Sequence, residues 1–457
     1  MTTAIDRLPA TASLRELRHA LMTGALSATA LTEQTLEAAE ASKRDVNAFA
    51  AIDWNRALRA AADSDRRYAN GTARALEGLP IAIKDLIDTK GIDTSYGSAA
   101  YLDHRPDVDA DIVRSLVERG AIVIGKTTTH EFAWGVTTAS ARLGDTRNPR
   151  DLSRIPGGSS GGAAAAIAHG AVTVGVGTDT GGSVRIPAAL CGVVGFKPTR
   201  DVLSTRGVFP LAPTCDHVGL LGRQVDDVLW LANALHIDVP ESDAWLSARL
   251  GVVRTIAPVP LAPEVAAAFD NATRRLSHTF ASMEIGDHGL FDDAFQAFAT
   301  IVLVEGGIEH FRRNGWDRIA THYSHETVDR LERAQGMDLA RYLAAQDARR
   351  HLTAGLQAVM ASVDYLVLPT CPCTAPPVGA DNVRIGDWTG TVREALMTYT
   401  APFNLAGFPA ISLPLPSSTT DLPIALQIVA RPGDDGALLQ IAQQIEALLH
   451  DGIARQA

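Results

Sequence analysis

Cysteine is scarce: the 457 residues hold four, Cys191, Cys215, Cys371 and Cys373. Their spacing makes no zinc pattern, since Cys371-Pro-Cys373 is one residue short of C-x-x-C, and no metal is expected. Reduced thiols in a cytosolic protein are the expected state. No apolar run approaches the ~18 to 20 residues of a membrane span, so no membrane partner is expected. The opening MTTAIDRLPATASLRELRHALMTG lacks the apolar block of a signal peptide, so cytoplasmic residence is the default. Basic residues are outnumbered, 41 to 52, for a formal charge of −11, which disfavours a nucleic-acid surface. Phosphate cradles are missing too. Gly175-Val176-Gly177 followed by Gly181 is one residue too long for the dinucleotide fingerprint, and no G-x-x-x-x-G-K-[ST] occurs, so no cofactor is expected. His130-Glu131 has Trp134 where H-E-x-x-H needs histidine. There is no internal repeat and no low-complexity linker.

What is present is glycine gathered around serine. The stretch from Gly157 to Pro198 holds Gly157-Gly158-Ser159-Ser160-Gly161-Gly162 and Gly181-Gly182-Ser183. Between them lie Ala163 to Ala168, with high helix propensity, and the valine-rich Ala171 to Gly177, which reads as a buried strand. Glycine admits positive φ and close approach. Beside serine it suggests exposed hydroxyls and amide N–H groups aimed at a developing charge. A flexible Gly/Ser linker would not run straight into such a helix and strand.

Elsewhere, Ser13-Leu14-Arg15-Glu16 is a capping box that should open a helix ending near Gly24. A second helix is expected from about Ser27 to Ala41. Leu79 to Asp85 reads as a buried strand that delivers Lys84 to its end. The spacing predicts helices over 109–119, 225–235 and 436–449, and strands near 81, 122, 174, 366, 412 and 426. Residues from about Ala262 to Gln357 read as a mostly helical insert. Strands and helices interleave from both ends of the chain. The expected fold is therefore α/β, a single large domain over 1–457 with a central mixed β-sheet flanked by many helices. Its core spans about 75–220 and 360–457, with a cap at about 260–357.

Two overlapping pentapeptides, 157–161 and 158–162, satisfy G-x-S-x-G, the nucleophile elbow of α/β-hydrolases. The preceding Asn148 to Pro156 holds two prolines and does not read as the strand that motif needs, and His217 is the one histidine near conspicuous turns. The longer pattern, GGSSGG followed by GTDTGGSVRIPAALCGVVGFKPT, resembles the amidase signature family. Ser159 and Ser183 stand 24 residues apart and Lys84 stands 75 before Ser159, the intervals that family keeps. The resemblance extends through TTTHEFAWG, NP at 148–149, VLPTCPCTAPP, PFNLAGFPAISLP and LPIALQIVA, and so covers nearly the whole chain.

The resemblance implies roles. Ser183 would be the acylated nucleophile, Ser159 a bridging serine after a cis peptide bond, and Lys84 the base. The N–H groups of Thr180, Gly181, Gly182 and Ser183 would form the oxyanion hole. Ser160, Asp179, Arg185 and Asp216 would be hydrogen-bonded support. A lysine is a base only when neutral, so burial must depress its pKa. The implied activity is hydrolysis of a carboxylic amide or urea-type C–N bond, other than a peptide bond, in a small-molecule substrate. A homodimer is the default assembly. Phe132, Trp134, Gly135, Arg349, Met397 and Tyr399 are candidate substrate contacts, and their apolar character suggests an aryl or alkyl amide.

The family also holds the glutaminase subunit of the tRNA-dependent amidotransferase. Arg349 aligns with the arginine that would grip glutamine's α-carboxylate, or it forms a structural salt bridge. Met397 stands where the family's acidic partner for an α-ammonium is expected, which counts against glutamine. A non-catalytic scaffold would need Ser183, Ser159 or Lys84 to be lost, and all three are present.

Overall fold

The computed structural model describes residues 12–240, 243–286, 289–416 and 420–454. Residues 1–11 of the opening stretch, read above for a signal peptide, lie outside them. Eleven strands build one mixed sheet: β1 (Phe49–Ile52), β2 (Pro80–Lys84), β3 (Ile122–Thr127), β4 (Val174–Thr178), β5 (Val194–Lys197), β6 (Val218–Gly222), β7 (Arg249–Val252), β8 (Ala281–Glu284), β9 (Tyr365–Pro369), β10 (Ala410–Leu415) and β11 (Ile424–Val429). Their spatial order is β1-β3-β2-β4-β6-β5-β10-β11-β9-β7-β8.

The six strands expected from the sequence are all here. The other five escaped for physical reasons. β1 and β7 span four residues each, too few for a period to show. β5 and β6 lie among turn-forming residues, yet both are wholly buried between neighbouring strands. β8 is exposed along its length, inside the insert read as helical, and joins the sheet only by parallel pairing with β7. Exposed edge residues carry little apolar signal.

Local chemistry fixes the flanking helices. Ser13 Oγ accepts from the Glu16 N–H (3.2 Å) while Ser13 N–H donates to Glu16 (2.7 Å), and Gly24 ends the helix in the left-handed region. The alanines of helix Gly161–His169 are almost all fully buried, because small side chains let the helix lie close against the sheet. The insert consists chiefly of helices Pro263–Leu276, Ala294–Arg313, His325–Gln335 and Leu339–Met360. Among the described residues no helix is long and apolar enough to cross a membrane.

One register places the chemistry. β2 and β4 run parallel, with Ala82 opposite Gly175 and Ile83 opposite Val176. Lys84 and Thr178 therefore finish side by side at the carboxyl ends of two central strands, where open α/β sheets place their ligand crevices.

Candidate active site

Lys84 is fully buried and makes no ion pair among the described residues. Its Nζ contacts three hydroxyls: Ser159 Oγ at 2.7 Å, Thr178 Oγ1 at 2.7 Å and Ser160 Oγ at 3.0 Å. Burial drives its pKa well below the ordinary lysine range, against the opposing pull of Asp179 and Asp216. Two other buried lysines differ. Lys197 is held by the carbonyls of Pro198 (3.0 Å) and Phe408 (2.5 Å), and Lys126 by Ile87 O, Thr89 Oγ1 and Thr94 Oγ1. Carbonyls only accept, so they hold an amine as a donor. Of the three, Lys84 alone is ringed entirely by hydroxyls, which can also give a proton.

The Gly158–Ser159 peptide is cis, as the resemblance implied. Ser160 N–H donates to Ser183 O (3.1 Å), which ties the two serine clusters together. Ser160 Oγ donates to Thr178 O (3.1 Å), so its own proton is committed. Ser159 is fully buried and Ser183 nearly so.

The turn from Asp179 to Arg185 wraps around one carboxylate. Asp179 accepts from Gly182 N–H (2.7 Å), Val184 N–H (3.1 Å) and the Arg185 guanidinium (2.9 and 3.0 Å). Arg185 also donates to Gln427, Asn404 and the Thr400 carbonyl, and both charges are fully buried. Burial alone would raise the Asp179 pKa, but the charge and hydrogen bonds of Arg185 outweigh it and hold the carboxyl ionised. Asp216 accepts from Thr180 Oγ1 (2.6 Å) and from the amides of Leu211 and Ala212, while burial raises its pKa. Ser160, Asp179, Arg185 and Asp216 thus stand where the sequence put them, as buried hydrogen-bonded support.

One expected oxyanion donor is otherwise engaged. Gly182 N–H donates to Asp179 at 2.7 Å, so this amide is committed within the protein. Gly182 sits at φ 126°, and a Cβ on Gly181 would lie 2.2 Å from Phe298 and 2.7 Å from Met397. No side chain fits at 181, so these two apolar residues close directly over the turn.

The expected substrate contacts divide. Trp134 lines a cavity of about 370 Å³ beneath the insert, and Met397 covers Gly181. Phe132 does not face that cavity; it packs against Tyr101, Phe209, His310 and Tyr323. Gly135 gives room for the His130 ring, which a Cβ there would meet at 2.3 Å. Tyr399 is buried and donates its hydroxyl to Val259 O (2.7 Å). Arg349 forms no salt bridge among the described residues and is not a free clamp: it donates to Leu405 O, Thr214 Oγ1 and Thr214 O at 2.7–2.8 Å. A guanidinium so engaged braces two backbone segments.

Other expectations resolve locally. His130 meets Glu326 (3.0 Å), and Glu131 accepts from Ser324 and Thr327, so this loop fastens the insert to the core. His217 bonds Cys215 O (2.7 Å) and Ser159 meets Lys84, which removes the α/β-hydrolase triad. Cys191 is buried and donates to Pro156 O.

The sequence model of the Amidase family matches residues 30–439. The chain belongs to the amidase signature family. It is 33% identical to a glutamyl-tRNA(Gln) amidotransferase subunit of Picosynechococcus sp., over 95% of this chain and 97% of that one. A solved amidase superposes with a TM-score of 0.89 at 34% identity, covering 96% of this chain and 100% of the other. The 6-aminohexanoate cyclic dimer hydrolase bound to its substrate gives a TM-score of 0.84 at 28% identity, over 96% and 97% of the two chains. For the corresponding glutamyl-tRNA(Gln) amidotransferase subunit of Thermotoga maritima the TM-score is 0.72 at 28% identity, over 91% and 92%.

Sequence reasoning missed Thr178, Phe298, Thr400 and Asn404. Thr400 Oγ1 donates to Gly181 O (2.7 Å) and Asn404 to the Asp179 carboxylate (2.9 Å). Both lie in the family-like TAPFNLAG segment, which was a usable signal. Thr178 ends the β4 strand just before the turn. Phe298 had no signal, because only folding brings its helix to Gly181.

Proposed function

We propose that this protein is an amidohydrolase that cleaves a small-molecule amide through a Ser183 acyl-enzyme, with Ser159 and Lys84 as the proton relay. One observation supports this above all: a fully buried lysine, without a carboxylate partner, enclosed by three hydroxyls. A neutral amine has two N–H donors and one lone pair. Ser160, its own proton given to Thr178 O, accepts one N–H and Thr178 Oγ1 the other. The lone pair is left for Ser159 O–H. Ser183 passes its proton to Ser159 as Ser159 passes one to Lys84, and Ser183 Oγ bonds to the amide carbon. The oxyanion is held by the amides of Thr180, Gly181 and Ser183, each donor being worth ~3 to 4 kcal/mol. Reversal of the relay protonates the leaving nitrogen as the C–N bond breaks. Water, deprotonated by the same relay, then releases the acid and frees Ser183.

In this reading the enzyme works in the cytoplasm, needs no cofactor and assembles as a homodimer, with a core at about 75–220 and 360–457 and the insert as its cap. Fluorophosphonate labelling tests the assignment. Label should attach to the wild type and vanish in Ser183→Ala, with turnover lowered on the order of 10⁶-fold. A folded Ser183→Ala enzyme with full activity would remove it.

The curated relatives favour a second reading, the glutaminase subunit of an amidotransferase. Met397 over Gly181 supplies no acidic contact for an α-ammonium, and each nitrogen of Arg349 already donates to Leu405 O or Thr214, which counts against glutamine. Release of ammonia from glutamine at a rate matching the best simple amide would reverse that judgement.

A further inference from the structure

The cavity lined by Trp134 carries a charge that the proposed mechanism does not use. Four arginines face it: Arg330, Arg333, Arg341 and Arg393. They stand in a chain whose formal charge is −11. One carboxylate, Asp338, lines the same cavity, and its Oδ1 accepts from Ala340 N–H (3.0 Å) at the start of a helix. Arg330 is engaged, with Glu326 and the Trp134 carbonyl, and Arg333 reaches Asp329 O (3.2 Å). Arg341 and Arg393 have neither an ion pair nor a hydrogen bond among the described residues.

Arg393 is the more informative of the two. Arg341 stands in water, where an unpaired guanidinium costs little. Arg393 is half-buried and lines the cavity. Burial, with the charge of Arg330 added to it, lowers its pKa against the opposing pull of Glu326. A part-buried guanidinium with no ion pair of its own is costlier than a solvated one, and a ligand that supplied the partner would relieve that cost.

Its position is tied to the chemistry. Arg393 and Met397 share the helix Val392–Thr398 at i and i+4, so they lie on one face about 6 Å apart along the axis. Met397 covers Gly181, two residues before Ser183. The opposite wall includes Thr300, on the same helix as Phe298, the other cover of Gly181. The two helices that cover Gly181 through Phe298 and Met397 thus also line the cavity, through Thr300 and Arg393.

Resting on the amidohydrolase reading, we propose that the substrate is an amide bearing a carboxylate about one helical turn from the scissile carbonyl, and that Arg393 pairs with it. Phe298 and Met397 face the connecting methylenes. Arg341 and Arg333 draw the anion in at the mouth. The substrate class thereby changes from a plain aryl or alkyl amide to an acidic one.

Matched pairs test this, each carboxylate beside its methyl counterpart: glutaramate with pentanamide, succinamate with butanamide, and N-acetyl-β-alanine with N-propylacetamide. The last pair places the charge on the amine side. The wild type should favour at least one carboxylate over its counterpart about 10- to 100-fold in kcat/KM, the scale of one charge-assisted hydrogen bond. Arg393→Met should erase that preference, Arg393→Lys should keep part of it, and Arg341→Met should reduce it less. Equal or better use of the neutral partners, or an equal loss on both members of a pair in Arg393→Met, overturns the proposal. A second readout needs no turnover: millimolar glutarate should raise the melting temperature of the wild type and not of Arg393→Met. If Ser183 takes no fluorophosphonate and nothing is hydrolysed, the amidase reading fails, and the glutarate shift alone decides for or against the pocket. No shift, or the same shift in Arg393→Met, ends it.

Discussion

The sheet core and the helical insert meet over one turn, yet they keep charge in opposite ways. In the core it is buried and paired within the protein, Asp179 with Arg185 at 2.9 Å and both fully buried, or suppressed, as at Lys84 among hydroxyls. In the insert it is mostly at the surface. Arg350–Asp347 and Arg312–Glu309 are pairs at the solvent boundary, and the arginines of the Trp134 cavity include two without partners among the described residues. The contrast reflects a division of labour. Preorganised chemistry needs dipoles and protons held in place without water, whereas recognition needs a charge left unsatisfied until the ligand arrives.

Four experiments press on that contrast. Lys84→Ala should cost the most, about 10²- to 10⁴-fold in kcat, the range of general base catalysis. Wild-type turnover should rise with pH through the lowered Lys84 pKa and level off, because only the neutral amine accepts a proton. An unchanged acid limb in the variant would move the base elsewhere. Asp179→Ala comes next. It strands Arg185 in the core and frees the Gly182, Val184 and Arg185 amides, so urea melts should show a loss of about 3–5 kcal/mol. A loss under about 1 kcal/mol would show that the core tolerates unpaired charge as the insert does.

A third, smaller effect depends on pH. Glu446 accepts from Val225 N–H, and burial raises its pKa to about 7; Asp227 nearby is raised to about 6, also by burial. A carboxyl with a raised folded pKa holds its proton longer in the folded chain. Its contribution is full below the ordinary carboxylate range and is lost as pH rises from there through the folded value, roughly 3 kcal/mol for Glu446. Melts of Glu446→Gln between about pH 4.5 and 8 should be flatter than the wild type's. The smallest effect belongs to the insert: Arg350→Ala should stay within about 0.5 kcal/mol, because both partners are solvated. A larger loss there would erase the distinction between the two regions.

Much of the core could be read directly. A capping box and a terminal glycine define the first helix, and glycine clusters around Ser159 and Ser183 mark a tight turn on each side of an alanine helix and a valine strand. Such signals are local, set by φ, propensity and periodicity within a few residues. Strands β5, β6 and β8 were not legible, since their pairing depends on partners outside their own segment. Phe132 and Tyr399 look like pocket residues by type, but their neighbours make them core.

The chain's linear pattern was enough to point to the family, the α/β architecture and the residues proposed to carry out acyl transfer, because those rest on glycine conformation, strand periodicity and fixed intervals. Folding in three dimensions was needed to bring Lys84 to Ser159, Ser160 and Thr178, to commit the Gly182 amide to Asp179, and to gather Phe298, Met397 and four arginines beside the turn. Those contacts join segments far apart in the chain, and burial and register, which arise only on packing, set both their distances and their charge states.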